Sequence, residues 1–338
     1  MRKFNLVDFA AHYQKGFRNH VVAIGDVPAL VESFKHYGCY STYFFFSDEI
    51  LTYMSAQADA APSISGYEGK VRAPFFPLDL DHPELIPALE GAKRFYEFFR
   101  SQWIVDAGAI QVYFSGSKGF HLMLDTRLFG RVAPARNLPV VFDALRRHLA
   151  QRLPEPLRPT VDLTIKDRVR LLRLPNTIHE KSKLYKVILS PSELESLGPQ
   201  EIRDLARQAR PLTQTDSTGL VSQGSVAASA EARELFERVR RQSARLMRKP
   251  FSYRFRRPAD LAKIDFRCAA MQKIWASRIE PGYRNNCAIR LASELRLLGL
   301  TREETEAKLL DWNKRHGIEL PTQELQSVVQ SAFQHRFP

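Results

Sequence analysis

The stretch AIQVYFSGSKGFHLMLD, from Ala109 to Asp125, sets two apolar runs on either side of a short turn of Ser, Gly and Lys. Apolar β-prone runs joined through a Gly-containing turn predict a β-hairpin. Glycines let backbone N–H groups approach a ligand, and Lys118 adds a positive charge. We therefore predict that Ser115–Gly119 form a turn that an anion could approach, and that His121 opens the next strand. Taken alone, the stretch also fits a flexible hairpin with a surface lysine, and it lacks the spacing of a Walker A loop.

A second apolar run, RAPFFPLDLD from Arg72 to Asp81, ends in two acids, Asp79 and Asp81. Side chains two residues apart on a strand share a face, so both carboxylates project the same way. Two such charges about 4 Å apart repel by roughly 4 kcal/mol at an effective dielectric of about 20. A divalent cation such as Mg²⁺ or Mn²⁺ relieves that repulsion. The alternative is a strand end with two solvated acids that leads into a helix.

A third segment, VDLTIKDRVRLLRLPNTIHEKSKLYKV, runs from Val161 to Val187 and begins with an acid, Asp162, among apolar residues. A basic strand and a turn-rich stretch with His179 and Lys181 are predicted to follow. A dense basic array downstream of an acid fits phosphates held beside a metal ion. A basic surface strand is the alternative. The basic residues in the predicted strand are Lys166, Arg168, Arg170 and Arg173.

Changes in residue composition and pattern along the 338-residue chain predict two domains joined by a linker. Strand-like and helix-like runs alternate over residues 1–210, which predicts an α+β domain, with helices over Pro83–Trp103 and Val140–Leu153. Residues 211–258 begin with small polar residues and are predicted to be a linker and basic segment. Residues 259–338 have helical texture throughout and are predicted to form a small all-α domain.

The net charge of +13 is the unusual bulk property, since 44% hydrophobic and 26% charged residues are ordinary for a globular protein. Such a charge favours a polyanionic partner, most simply nucleic acid, with an acidic membrane surface as the alternative. No apolar run approaches the roughly 18 residues of a spanning helix, and the first residues lack a signal peptide's apolar core. A cytoplasmic protein without a membrane partner is therefore expected. Three cysteines without CxxC spacing argue against a disulfide framework or a four-cysteine metal site.

The most basic block, Arg238–Arg257, has nine basic residues and no acid, and aromatic residues alternate with arginines at its end. Positive charge that tracks phosphates and aromatic rings that stack on bases suit single-stranded DNA. A solvated linker-helix face is the alternative. A second candidate patch is formed by Tyr283, Arg284, Asn285 and Asn286, for which the alternative is a helix cap. The candidate DNA-binding residues are Arg254, Arg256, Arg257 and Arg284.

The order of the three segments resembles the archaeo-eukaryotic primase superfamily over about residues 40–190. In that pattern a DxD strand precedes SGxxGxH, and an acid then precedes RxPxSxHxKxG. FSGSKGFHL also resembles the polymerase domains of bacterial end-joining ligases. The sequence departs from the pattern at two places. The family often has Gly-Ser or Phe-Ser where this chain has Asn176-Thr177, and Gly where it has Lys183. The segment PGYRNNCAIRLASELRLLGLTREE is similar to helical C-terminal domains of bacterial, phage and plasmid primases.

The resemblance implies an RRM-like palm with an additional mixed α/β unit, followed by the helical domain. It implies template-directed nucleotidyl transfer, in which Asp79, Asp81 and Asp162 hold two Mg²⁺ or Mn²⁺ ions. The nucleotide-binding residues it implies are Ser115, Ser117, Lys118, His121, Arg173, His179 and Lys181. No structural zinc and no iron–sulfur cluster are expected, since the cysteines that hold them elsewhere in the family have no counterpart here.

Three functions stay open at this point. A primase or primase-polymerase makes primers de novo on a single-stranded DNA template from NTPs or dNTPs and extends them. A repair or end-joining polymerase only extends a primer. A non-catalytic replication protein has the same fold and binds DNA but has no polymerase activity. The intact acids and Ser/Lys/His loop argue against the last, and the helical domain favours priming. A replicative helicase or another replication protein is a conceivable partner, at the nucleoid or another replicon.

Overall fold

The structure is a computed structural model that describes residues 3–11, 17–57, 62–165, 167–213, 215–248, 264, 266, 269–279, 284–315 and 320–334. Within these residues the strands are β1 (Leu6–Ala11), β2 (Phe17–Ala23), β3 (Cys39–Thr42), β4 (Phe75–Asp81), β5 (Ile110–Phe114), β6 (Gly119–Asp125), β7 (Leu171–Arg173) and β8 (Val187–Leu189). The helices are α1 (Val27–Ser33), α2 (Glu49–Ser55), α3 (Leu85–Gln102), α4 (Leu138–Ala150), α5 (Pro191–Ser196), α6 (Pro199–Leu205), α7 (Ala230–Arg248), α8 (Ala269–Ala276), α9 (Arg284–Leu297), α10 (Arg302–Lys314) and α11 (Thr322–Gln334).

The chain divides into two compact units, Met1–Arg248 and Lys249–Pro338. The first unit contains two four-stranded sheets, one with strand order β2-β1-β3-β7 and one with order β4-β6-β5-β8. Neighbouring strands in both sheets are antiparallel. The predicted α+β class is therefore confirmed. Among the described residues no helix combines the length and apolar composition that crossing a membrane requires.

The predicted hairpin and the acid-bearing strand lie side by side in the second sheet. β6 pairs with β5 and with β4, and in the β4 ladder Asp79 lies opposite His121 and Asp81 opposite Gly119. Leu78 and Leu80 are fully buried, whereas the two acids between and after them are partly exposed. The alternation predicted for FFPLDLD is thus the observed one, and it turns both carboxylates to the same face of the sheet.

Two predicted helices cover the apolar face of this sheet. α3 buries Leu89, Phe95 and Phe99, and α4 buries apolar residues of the same core. The exception in α4 is Arg146, which is 0% exposed. Its guanidinium donates to the carbonyls of Pro77 in β4 and Ile165. One buried side chain thereby ties the acid strand to the segment that follows Asp162.

Over 211–213 and 215–248 the predicted linker and basic segment is folded against the first unit, and residues 249–258 of that prediction lie outside the described residues. The segment around Asp216 is closed by hydrogen bonds from Thr218, Leu220 and Val221 to its carboxylate. α7 then packs against α4, because Ala232, Leu235, Phe236 and Val239 give it an apolar face that joins the first core. Residues up to Arg248 therefore belong to the first unit. The polar composition predicted a free linker, because it does not show that short polar side chains fasten this loop by hydrogen bonds.

The predicted basic strand is largely wrong, because only Leu171–Arg173 is a strand. Ahead of it the chain turns: Asp162 Oδ1 accepts from Thr164 N, and Asp167 Oδ1 accepts from Val169 N. Short acidic side chains that bond the backbone two residues on favour turns over ladders. Arg168 donates to the carbonyls of Tyr67, Gly69 and Arg136, so it fastens loops and does not face a ligand. Lys166 lies outside the described residues.

The second unit contains α8–α11 around a core of its own that includes Leu291, Leu309, Trp312 and Leu325. The indole Nε1 of Trp312 donates to Ile274 O at 3.2 Å. α10 begins with a capping box in which Thr301 and Glu304 bond reciprocally. The predicted helical character of the C-terminal region is confirmed for the described residues.

Gly119 is the position at which a single methyl group should disrupt the second sheet. A Cβ there would lie 2.2 Å from Leu80 O, in backbone that cannot move away without opening the β4–β6 ladder. We expect Gly119→Ala to lower the free energy of unfolding of the first unit by at least about 2 kcal/mol. Gly108→Ala is the control, because no atom lies within 4 Å of its Cβ. Equal midpoints of chemical denaturation for the two variants would contradict the prediction.

Candidate active site

The three predicted acids come together at one edge of the second sheet. Asp79 and Asp81 end β4, and the turn after Val161 brings Asp162 beside them, since Leu80 and Val161 form an isolated bridge. The backbone N–H of Asp162 donates to Asp79 O at 2.8 Å. The acids therefore come from segments more than 80 residues apart in sequence that touch through their main chains.

Each acid has a cationic or imidazole partner. Lys118 Nζ lies 2.8 Å from Asp81 Oδ2, Arg170 Nη2 lies 3.2 Å from Asp162 Oδ2, and His121 Nε2 lies 3.5 Å from Asp79 Oδ1. In the described part of the chain, no three His, Cys, Asp or Glu side chains converge closely enough to form a ready-made metal site. To bind a metal ion together, these carboxylates must exchange their present partners for it.

The electrostatics of Asp79 show that negative charge is concentrated at this edge. Burial, followed by the neighbouring carboxylates of Asp162 and Asp81, raises the pKa of Asp79 from 3.8 to about 7. Its side chain is 18% exposed. A carboxylate that is costly to ionise in the protein alone gains the most from an added cation. The donor set of three carboxylates therefore fits Mg²⁺ or Mn²⁺, whose preferred ligands are oxygens.

The turn between β5 and β6 is built by its serine and glycines. Ser115 Oγ accepts from the backbone N–H groups of Ser117 and Gly119. Gly116 has a φ of 80°, and a Cβ there would lie 2.9 Å from Leu184 O. Ser182 Oγ donates to Gly116 O and so fastens the turn to the third segment. Ser115 therefore shapes the turn, and Lys118 is held over the acids.

Arg173 is positioned by two residues that the sequence did not reveal. β3 pairs with β7 so that Tyr40 lies opposite Arg173. Arg173 Nη2 donates to the Tyr40 hydroxyl at 2.8 Å, and Nη1 lies 3.6 Å from Glu180 Oε2. Tyr40 in turn donates to Glu180 Oε2 at 2.9 Å. Since the guanidinium has five N–H donors, these contacts fix its direction and leave donors for a phosphate.

His179 is prepared to donate a hydrogen bond. Its Nδ1 accepts from the backbone N–H groups of Lys181 and Ser182, at 3.1 and 3.2 Å. The proton of a neutral ring must then be on Nε2. Burial, with the charge of Arg173, lowers the pKa of His179 below its ordinary value. Lys181 contributes its backbone here, and its side chain is exposed.

The two positions at which the sequence departs from the family pattern have unusual backbone geometry. Asn176 and Lys183 have φ values of 56° and 61°. Glycine adopts such angles without a Cβ penalty, which accounts for the glycine that the pattern has at the position of Lys183. Lys183 Nζ lies 2.5 Å from the Tyr37 hydroxyl, and Asn176 bonds Arg210 through both side-chain amide atoms. Side-chain contacts thus hold the same turn here.

Lys186 is a buried lysine beside the candidate site, and the sequence analysis did not identify it. It is 2% exposed, its Nζ donates to Arg173 O at 2.8 Å, and it lies 4.8 Å from the centroid of the Tyr113 ring. Burial lowers the pKa of Lys186 to about 7, although Asp79 opposes this. Burial, then Lys186 and Arg173, holds the pKa of His121 well below its ordinary value. His121 Nδ1 has no hydrogen-bond partner among the described residues.

Most of the predicted metal- and nucleotide-binding residues line one cavity of about 200 Å³. It is lined by Asp79, Asp81, Ser115, Ser117, Lys118, His121, Arg170, Arg173 and His179, together with Tyr40, Leu171 and Leu172. Asp162 adjoins this cavity through its ion pair with Arg170. The arrangement offers acids on one side and an array of N–H donors on the other, which suits a metal ion and a polyphosphate.

Of the four predicted DNA-binding residues, only Arg284 lies within the described residues. Arg254, Arg256 and Arg257 lie outside the described residues. Arg284, in α9, is 5% exposed, and its Nε donates to Ile279 O at 3.1 Å. Little of its side chain is accessible to a phosphate, and we do not propose a DNA contact for it.

Comparison with protein families addresses the C-terminal region. Residues 274–336 match the family model for the primase C terminal 1 domain, PriCT-1. The sequence-based likeness of this region to primase C-terminal domains is confirmed. The matched residues cover α9, α10 and α11. No curated protein sequence gives a significant match to the chain.

Two solved structures are similar to the chain at low sequence identity. The polymerase domain of Mycobacterium tuberculosis ligase D, in complex with DNA, has 13% identity and a TM-score of 0.35, over 72% of both chains. Primase RepB' has 11% identity and a TM-score of 0.35, over 98% of this chain and 89% of its own. Likenesses this distant leave the function to be inferred from the site.

Proposed function

We propose that the chain is a nucleotidyltransferase of the primase class that joins nucleotides on a single-stranded DNA template. The observation that carries the proposal is that Asp79 and Asp81 line one cavity with a lysine, two histidines and an oriented arginine, and that Asp162 adjoins this cavity through Arg170. Nucleotidyl transfer needs positioning and charge neutralisation and no protein nucleophile. The PriCT-1 match of residues 274–336 supports the primase class.

Asp79, Asp81 and Asp162 would hold two Mg²⁺ or Mn²⁺ ions. Ions bound there supply activation of the attacking hydroxyl and neutralisation of the triphosphate and the leaving pyrophosphate. Binding the triphosphate frees Lys118 and Arg170 from Asp81 and Asp162, and both cations then face phosphate oxygens. The acids in this way change partners without leaving a charge uncompensated.

The remaining hydrogen-bond donors of the site bind the triphosphate. Arg173 presents a guanidinium whose direction Tyr40 and Glu180 fix, and such a fork suits phosphate oxygens. His179 donates from Nε2 because backbone N–H groups occupy its Nδ1. His121 is held neutral by burial and lies against Asp79. Lys186 supports this array from beneath through the Arg173 carbonyl.

Primer synthesis is distinguished from primer extension by an unprimed template. The full chain is incubated with unprimed circular single-stranded DNA, labelled NTPs or dNTPs, and Mg²⁺ or Mn²⁺. We expect new labelled oligonucleotides, because the PriCT-1 match favours priming. Extension of a supplied primer without products on the unprimed circle would instead assign the chain to the repair and end-joining polymerases. Absence of both activities would refute the proposed function.

The basic block is proposed to bind the template strand. Replacing Arg254, Arg256 and Arg257 by Ala should weaken binding to single-stranded DNA and lower the slope of log K against log[salt] by about 2, since each phosphate contact contributes about 0.7. The control replaces Arg94, Arg147 and Arg207, which are exposed and change the net charge equally. If fluorescence anisotropy gives equal slopes for both triple variants, the block is only a solvated segment.

A further inference from the structure

The outer face of α3 is bounded by two exposed isoleucines. Ile86 lies in the first turn of the helix and is 65% exposed, and Ile104 lies just beyond its end and is 78% exposed. Within the described ranges of the chain, these are the two most exposed large apolar side chains. Single apolar side chains are ordinary on a protein surface, but this pair belongs to one continuous row of residues.

The row has the spacing of a helix–helix contact. Starting from Ile86, its members follow one another after four and three residues in alternation, which is the 3.5-residue repeat with which two helices pack along their length. At 3.6 residues per turn, the members within α3 point within about 40° of the direction of Ile86. The four charged members are partly or fully exposed. We call this row the α3 seam, and it consists of Ile86, Glu90, Lys93, Glu97, Arg100 and Ile104.

The charges of the α3 seam are complementary to the same charges in reverse order. Glu90 and Arg100 lie five residues on either side of Phe95, and Lys93 and Glu97 lie two residues on either side of it. Two α3 helices packed antiparallel about a two-fold axis at this point place Glu90 against the partner's Arg100. They also place Lys93 against the partner's Glu97, and each pairing occurs twice in such a contact. Parallel packing would instead set like charges against each other.

The backbone at Ile104 is strained, although its side chain lies in solvent. Its φ is 52°, a region that is costly for a β-branched residue. Val105 N donates to Phe99 O at 3.2 Å, which closes the end of α3 by a turn in which glycine is the usual residue. A strained residue of this kind indicates a role at the surface. Ile104 lies nine residues after Phe95, so antiparallel packing covers it with the partner's Ile86, nine residues before it.

The charged members of the α3 seam have contacts that a partner can supplement or replace. Lys93 Nζ donates to a backbone carbonyl of α5 at 2.9 Å, and Arg100 donates to the carbonyl of Val105. These carbonyls carry no net charge, so both cations still gain from a carboxylate. Glu90 pairs with Arg94 at 2.8 Å, and an exposed pair of this kind contributes little stability.

The surface beside the α3 seam is concave. A cavity of about 430 Å³ lies between the second half of α3 and α5, and Lys93, Glu97 and Arg100 line it. Antiparallel packing sets the first half of the partner helix opposite this cavity, which has room for its side chains.

We propose that the α3 seam is the contact of a homodimer in which two copies of the chain pack antiparallel about Phe95. The seam selects a second copy as the partner, because its charges match their own reversal. α3 covers the apolar face of the second sheet, and Asp79 and Asp81 lie on the other face. The contact therefore leaves both acid cavities open, and it does not depend on the proposed function.

Charge reversal tests the proposal by sedimentation equilibrium of the full chain. We expect the wild-type mass to rise with concentration from 38.8 kDa towards twice that value, and less steeply at high salt. Lys93→Glu and Glu97→Lys, each alone, should weaken dimerisation at least about tenfold, because each sets like charges together at two places. Both changes in one chain should restore the dimer. The control Arg147→Glu changes the net charge as Lys93→Glu does, on exposed surface of α4, and should dimerise like the wild type.

A mixture of the two single variants separates the contact from effects on folding. The Lys93→Glu chain and the Glu97→Lys chain, each monomeric alone, should form a heterodimer when mixed. Ile104→Gly should weaken dimerisation at least about tenfold and should not lower the melting temperature at dilutions where the wild type is monomeric. A wild type that stays monomeric, a dimer that Lys93→Glu leaves intact, or single variants that neither pair on mixing nor regain the dimer when combined would overturn the proposal.

Discussion

Asp79→Asn, alone or with Asp81→Asn, should reduce nucleotide incorporation by at least about 10³-fold, equivalent to about 4 kcal/mol of transition-state stabilisation. An amide keeps the shape of the side chain and removes the charge that would hold a divalent cation. The loss should appear in kcat/KM on primed and unprimed templates alike, measured with labelled nucleotides under Mg²⁺ and under Mn²⁺. Asp106→Asn is the control, since Asp106 is exposed, lies in the loop before β5 and does not line the cavity.

The same substitution should make the metal-free protein more stable, and this separates lost chemistry from lost folding. The pKa of Asp79 is about 7 in the folded protein and has an ordinary value of 3.8. The ionised carboxylate therefore destabilises the fold increasingly from about pH 4 to about pH 7, and fully above that. At pH 8 with EDTA, Asp79→Asn should melt at a higher temperature than the wild type. An active variant, or an inactive one that melts lower, would contradict the account.

Arg146→Met should markedly reduce the stability of the first unit. The fully buried guanidinium donates to Pro77 O and Ile165 O and lies 5.5 Å from the Phe76 ring centroid. Methionine fills the volume and leaves both carbonyls without these donors, at about 1–3 kcal/mol each. We expect a loss of about 2–4 kcal/mol in the free energy of unfolding, measured by chemical denaturation.

Arg147→Met, one residue on, is the matched control for that experiment. Arg147 is exposed and pairs with Asp143 one helical turn away. Such surface pairs contribute less than about 1 kcal/mol, so the variant should stay within about 0.5 kcal/mol of the wild type. If the two arginines prove equivalent, Arg146 does not join the acid strand to the Asp162 segment.

Much of the site was predictable because local patterns determine it. The strict alternation in FFPLDLD fixes which face carries Asp79 and Asp81, and the Gly-Ser turn between two apolar runs fixes the hairpin. Asp162 needed more than local pattern, since its position depends on the bridge between Leu80 and Val161. There the resemblance to a known motif order supplied what periodicity did not.

The residues that were missed depend on long-range pairing. Tyr40 reaches Arg173 only because β3 and β7 are neighbours in the first sheet, 133 residues apart in sequence. Lys186 reads as one more basic residue in a basic segment, and nothing local predicts its burial beneath Asp79. The first part of 211–258 was predicted to be a linker because small polar residues are typical of linkers, although the carboxylate of Asp216 accepts hydrogen bonds that close the chain around it.

The most direct test of the central claim, that the three acids and the donor array form one metal–nucleotide site, is electron paramagnetic resonance of Mn²⁺ bound to the full chain. With a non-hydrolysable triphosphate present, we expect Mn²⁺ to bind tightly to the wild type, and ³¹P couplings to show phosphate in its coordination shell. Asp79→Asn with Asp81→Asn should lose this signal, and Asp106→Asn should keep it. Unchanged Mn²⁺ affinity and phosphorus coupling in the double variant would contradict the account.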